Sequence, residues 1–196
     1  MKKGRLEAFS DGVFAIIITI MVLEIKVPHG NTVEDLFPLL PIFLSYVLSF
    51  IYLGIYWNNH HHLVHTVKEV SGDILWANLH LLFWLSLVPF VTGWMGQNHF
   101  ENIPVALYGV NLILCAIAYS ILQGRITKSL GPASNLAKTL GKDWKGKGSI
   151  LLYLIGIFSA NINARISLLL YLVVAIIWLV PDKRIEKSLK IEENEK

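Results

Sequence analysis

The sequence predicts an all-α integral membrane protein of six transmembrane helices, and three observations carry that prediction. Hydrophobic residues fill 54% of the 196 positions and charged residues only 16%, with a mean hydropathy of +0.54; an ordinary soluble domain carries about 25% charge. The apolar residues gather in long blocks rather than short periodic runs, and crossing about 30 Å of hydrocarbon takes about 20 residues of helix. The basic residues fall almost entirely on one side of those blocks.

The blocks run over 5–26, 39–64, 73–96, 103–123, 148–163 and 165–181. The first lacks a small-residue cleavage site and continues into Glu24 and Lys26, so it reads as a retained span, not a signal peptide. Pro38 and Pro41 suit the start of the second. Cys115 is the single cysteine and lies inside the fourth block, which excludes an intrachain disulfide. Segment 124–147, rich in Gly, Lys and Ser around Gly131-Pro132, reads as an aqueous loop. The last two blocks are short, and the polar Asn161-Ile162-Asn163-Ala164-Arg165 between them favours a tight helical hairpin over one 34-residue helix. Residues 1–181 thus form a six-span domain, and 182–196 a charged, solvated tail.

Six spans put both termini on one side. That side collects Lys2, Lys3, Arg5, Lys68, the cations of 124–147 and those after Pro181, fifteen of the seventeen Lys and Arg; Lys26 and Arg165 remain for the other. The positive-inside bias therefore places both termini in the cytoplasm. Glu34, Asp35 and Glu101 fall in the exterior loops.

The first span opens on Arg5-Leu6-Glu7-Ala8-Phe9-Ser10-Asp11, an unusual head for a membrane helix. At about 100° per residue, Arg5, Phe9, Gly12, Ile16, Thr19, Ile20 and Leu23 share one stripe, and Glu7 and Asp11 lie on the other side. Such a stripe is common on helices that touch lipid or a neighbour. Carboxylates do not face lipid, however. If the Asp11 side is buried within its own subunit, the aliphatic side faces outward, and copies arranged about an axis turn it into rings. Hydrophobic constrictions of that kind control permeation by dewetting.

Asp11 needs a partner at its depth. It lies six residues into the first span and His80 seven into the third, so both sit about 9–11 Å deep from the same side. Ser10, Asn78 and Trp76 can join them in one hydrogen-bond network. A buried Asp is tolerated when it accepts several hydrogen bonds or faces a protonated His. We read this network as a clamp between helices.

Arg5-x-x-x-Phe9-Ser10-Asp11 heading the first of six helices, with Asn78-Leu79-His80 and Pro89-Phe90 in the third, resembles the transmembrane protein 175 family, the bacterial and endolysosomal potassium channels. The resemblance covers the whole chain in length, span count and topology. It implies a potassium-selective or potassium-preferring channel in a bacterial plasma membrane, a homotetramer of one-repeat subunits whose first helices line a central pore. Potassium ions are then the permeant species, and membrane lipids the other partners. Measured from the Phe-Ser-Asp motif, the implied constriction falls on Ile16, Thr19, Ile20 and Leu23, the stripe that the helical wheel exposes independently. Ordinary potassium channels carry a Thr-Val-Gly-Tyr-Gly filter; here the one Tyr-Gly, Tyr108-Gly109, sits mid-span.

Other signals carry less. His61 and His65 stand one helical turn apart within the run His60, His61, His62 and His65, but only Glu69 lies nearby and no His-Glu-x-x-His is present, so the run reads as a polar helix end and no metal is expected. Trp57, Trp76, Trp84, Trp94, Trp144 and Trp178 read as interfacial or packing aromatics. Phosphate loops, nucleophile elbows and dinucleotide fingerprints are missing, so neither an enzyme, a cofactor nor a nucleic-acid partner is expected. The alternative is a secondary ion or proton transporter, which would want inverted repeats or a charge at mid-depth.

Overall fold

The computed structural model describes residues 3–131, 134 and 143–179; Lys2 and the predicted tail 182–196 lie outside them. Every regular element among them is helical: α1 (Lys3–Leu23), a 3-10 turn (Glu34–Leu39), α2 (Leu40–His65), α3 (Gly72–Ser86), α4 (Val88–Gln97), α5 (Asn102–Leu130), α6 (Trp144–Ser159) and α7 (Ala164–Leu179). Four units are long and apolar enough to cross a membrane: Lys3–Leu23, Glu34–His65, Gly72–Gln97 and Asn102–Leu130. At 16 residues each, α6 and α7 are shorter.

Local chemistry sets most boundaries. The Ser71 hydroxyl caps α3 by accepting from the Ile74 N–H, and the Asp143 carboxylate caps α6 by accepting from the Gly146 N–H. Pro41 occupies the first turn of α2, where no N–H is missed. Helix α4 ends in a turn with His99 and Phe100 at positive φ, and the Phe100 N–H returns to the Met95 carbonyl.

Three expectations change. The third span is interrupted at Leu87, because Pro89 offers no N–H to the Leu85 carbonyl and its ring crowds that turn. The aqueous loop 124–147 shrinks at both ends: α5 continues to Leu130, carrying Arg125 and Lys128, and α6 starts at Trp144. Gly and Lys content marked the loop, but Gln123 to Leu130 holds no helix breaker except Gly124, which a long helix tolerates for about 1 kcal/mol. Helix α1 stops at Leu23, leaving Glu24 beyond its end.

Two cores hold the bundle. An aliphatic core gathers Leu6, Phe14, Ile17 and Met21 of α1 against Leu53 and Leu63 of α2, Leu81 and Leu85 of α3, and Cys115 and Leu122 of α5. A tyrosine-rich core joins Tyr52, Tyr108, Tyr153 and Tyr171 where α2, α5, α6 and α7 meet. Helices α6 and α7 form an antiparallel pair, since the Ser167 hydroxyl bonds the Gly156 carbonyl at 2.7 Å and the Trp178 indole bonds Ser149 Oγ at 2.7 Å. The 34-residue single helix is thereby excluded.

Candidate functional site

Helix α1 divides into two faces with different fates. Leu6, Ser10, Phe14, Ile17 and Met21, spaced at three and four residues, are buried against α2 and α3. Ile16 is 61% exposed, Ile20 44% and Leu23 74%, although Ile16 and Ile17 are chemically identical neighbours. Thr19 shares the exposed face, and its hydroxyl donates to the Ala15 carbonyl at 2.8 Å. With its proton committed inward, the Thr19 oxygen keeps its lone pairs for a water proton or a cation. Gly12 lies on the same face with open space around it.

Behind that face runs a directed polar ladder. Ser10 Oγ donates to the Leu6 carbonyl at 2.8 Å and accepts from Asn78 Nδ2 at 3.0 Å. The Asn78 Oδ1 then stands 2.7 Å from His60 Nε2. Because the serine proton is already spent, every donor in the chain is assigned, and His60 must carry its proton on Nε2. All three side chains are buried, so each bond is costly to leave unmade. The ladder ties α1 to α3 and α3 to α2 at one level of the bundle.

Asp11 and His80, expected to face each other, take other partners. Asp11 Oδ1 accepts from Trp57 Nε1 at 2.9 Å and is exposed at the rim of the packed face. Trp57 in turn stacks on His61, centroids 6.2 Å apart. His80 is exposed, and its Nε2 accepts from Trp84 Nε1 at 2.9 Å within α3. Azimuth decides contact: two residues beyond Asn78, which meets Ser10, His80 is turned by about 200° away from α1. Trp76, 75% exposed, also stays out of the network. His60 and Trp57, which the sequence offered only as part of a histidine run and as a packing aromatic, are the groups actually engaged.

Arg5 and Phe9 are exposed beside a cleft of about 210 Å³ between α1 and α3. Glu7 Oε1 is buried without a hydrogen-bond partner among the described residues. His61 and His65 approach to 6.2 Å between ring centroids, and no group of three or more His, Cys, Asp or Glu able to hold a metal ion occurs among the described residues.

A family model described as the endosomal/lysosomal potassium channel TMEM175 matches residues 5–89. A potassium channel of a Chryseobacterium species is 59% identical over 190 residues, 97% of this chain and 99% of its own. This chain belongs to the TMEM175 family. The crystal structure of a lysosomal potassium-selective channel TMEM175 homolog from Chamaesiphon minutus is similar over 90% of this chain and 95% of its own, with a TM-score of 0.76 and 30% identity. The human endosomal/lysosomal proton channel TMEM175 is 38% identical over 96 residues, 42% of this chain and 19% of its own. The motif at Arg5, Phe9, Ser10 and Asp11 thus falls inside the TMEM175 match, as do the ladder residues His60 and Asn78.

Proposed function

We propose that this protein is a potassium-preferring channel of the bacterial plasma membrane, a homotetramer of six-span subunits with both termini cytoplasmic. The observation that carries this reading is the split of α1: one face is locked into the protomer, and the face bearing Ile16, Thr19, Ile20 and Leu23 is left exposed by the described residues. Four copies around an axis turn those residues into stacked rings, and the α1–α3 cleft beside Phe9 gives a neighbouring subunit a place to pack. Asp11, exposed in the single chain, then lies near the subunit junction and the cytoplasmic mouth rather than in lipid. Helices α6 and α7, about 24 Å long at 16 residues each, span a locally thin rim or tilt little.

Conduction follows from ring chemistry. An Ile16 constriction excludes bulk water, so a cation crosses partly dehydrated, and potassium surrenders its hydration more cheaply than sodium. Thr19 oxygens one turn further offer compensating lone pairs. The direct test is recording from purified protein in planar bilayers under opposed potassium and sodium gradients. Unitary currents reversing toward the potassium potential, raised by Ile16→Asn and made less selective by Thr19→Val, support the pore. Turnover limited to carrier rates with fixed proton stoichiometry supports the transporter instead and overturns it.

A further inference from the structure

Asn111 of α5 is 4% exposed, and neither its Oδ1 nor its Nδ2 has a hydrogen-bond partner among the described residues. Bulk water cannot make up that loss at membrane depth, so an orphan primary amide there is expensive. Two fixed points give its level in the bundle. Asp73 in the first turn of α3 pairs with Arg125 of α5 at 3.3 Å. Fourteen residues inward from that pair stand Leu87, just past the end of α3, and Asn111. Counting instead from the turn between Gln97 and Asn102 brings Asn111 level with Val88. Both counts set it beside the break between α3 and α4.

Its azimuth agrees. Tyr108 and Cys115, three residues before it and four after, share its stripe of α5. The Tyr108 hydroxyl meets Ser49 at 3.0 Å, and Ser49 meets Thr92 of α4 at 2.7 Å. Cys115 packs in the aliphatic core with Leu81 and Leu85 of α3. Asn111, between the two, is aimed at the junction of α3 and α4. The backbone there is short of a donor. Pro89 has no N–H for the Leu85 carbonyl. The Leu87 N–H is divided between that carbonyl and the one of Trp84, from which it stands 3.3 Å. Leu85 is fully buried, so its carbonyl is also cut off from bulk water.

We propose that one water molecule is built into this break. It accepts from Asn111 Nδ2, donates one proton to Asn111 Oδ1 and gives the other to the Leu85 carbonyl. A buried water ordinarily makes about three hydrogen bonds. Ordered waters also re-satisfy carbonyls freed where a proline interrupts a membrane helix. A bare cation fits less well, because it takes the two oxygens and leaves the Nδ2 protons unpaired. The water stands in for the missing Pro89 N–H and pins α5 to the break. No residue of the α1 stripe takes part, so the site stands or falls independently of the pore reading.

The test is NMR of the full-length, isotope-labelled protein in micelles whose only salt is N-methylglucamine chloride. The Asn111 side-chain amide protons, assigned through their own backbone, are expected to show a cross-peak to water with the sign of a bound, slowly exchanging molecule. Ser49→Ala, Thr92→Val and Tyr108→Phe keep that peak, which excludes relay through the nearest hydroxyls. Asn111→Leu removes it and shifts the carbonyl carbon resonance of Leu85. Absence of the cross-peak in wild type, or its loss with any of the three hydroxyls, overturns the proposal, and these spectra decide even where Asn111→Leu does not fold. An unmoved Leu85 carbonyl in a folded Asn111→Leu overturns the bridge. Saturable movement of the Asn111 and Leu85 signals on adding sodium or potassium chloride also overturns it, since that puts a cation in the site.

Discussion

The two cores of this bundle solve the same packing problem with different chemistry. Around α1, α2 and α3 the interior is mainly aliphatic, and the side-chain hydrogen bonds that cross it between helices include the ladder Ser10–Asn78–His60. Around α6 and α7 the interior is rich in tyrosine, and two of the hydroxyls reach backbone carbonyls, Tyr52 that of Tyr171 and Tyr171 that of Val105, while Tyr108 pairs with the Ser49 hydroxyl. A side-chain ladder specifies register, because sliding any helix by one residue strands all its members. Tyrosine hooks on backbone carbonyls demand close helix approach instead, and glycines supply it. The first design suits a helix that must hold one azimuth while its far face stays uncovered. The second suits short helices, which need tertiary packing to exist.

Overpacking is the strongest way to break the second core. A Cβ on Gly156 would lie 2.5 Å from the Tyr171 ring, and one on Gly109 would meet the Tyr171 hydroxyl and Ile157. Both glycines to alanine are expected to destabilise by about 1–3 kcal/mol each, measured by unfolding in mixed micelles. Gly12→Ala, with nothing near its Cβ, should cost nothing and can raise protomer stability by up to about 1 kcal/mol through helix propensity. Equal losses at all three positions would show that the contrast between packed and open glycines is wrong.

The ladder responds next. Asn78→Leu deprives His60 of its acceptor and Ser10 of its donor, for an expected loss of about 1–3 kcal/mol. Ser10→Ala should cost less, about 0.6 kcal/mol, the mean for an interhelical hydrogen bond in a membrane protein. A double-mutant cycle should show the pair to be non-additive, since both changes remove one bond. Simple additivity would mean the ladder does not act as a unit.

Smallest of all is Tyr171→Phe. Its hydroxyl makes a long 3.4 Å bond to the Val105 carbonyl, so removal is expected to cost under about 0.5 kcal/mol. Removing it also relieves crowding at Gly109, so Gly109→Ala should be milder in the Tyr171→Phe background than alone. An unchanged penalty would show that Ile157, not the tyrosine, sets the closeness of approach.

Much of this was legible in the residues. Long apolar blocks announced the spanning helices, the Asn161–Arg165 break announced the α6–α7 pair, and the Phe9-Ser10-Asp11 motif led to the TMEM175 family. The exposed stripe of Ile16, Thr19, Ile20 and Leu23 could also be drawn on a helical wheel. Partner identity could not. Span counting predicted a shared depth for Asp11 and His80, but the sequence has no coordinate for the rotation that sends one to Trp57 and the other to Trp84.

What the chain alone determined is everything governed by one-dimensional quantities: block length against bilayer thickness, charge against side, and spacing against helical period. The helical wheel puts Ile16 and Ile17 on different stripes, but which stripe enters the core was decided only in three dimensions. Both are equally apolar, so transfer from water does not choose between them. Packing chose, because Leu6, Phe14 and Ile17 fit the surface of α2 and α3 while Ser10 meets Asn78 in the same face.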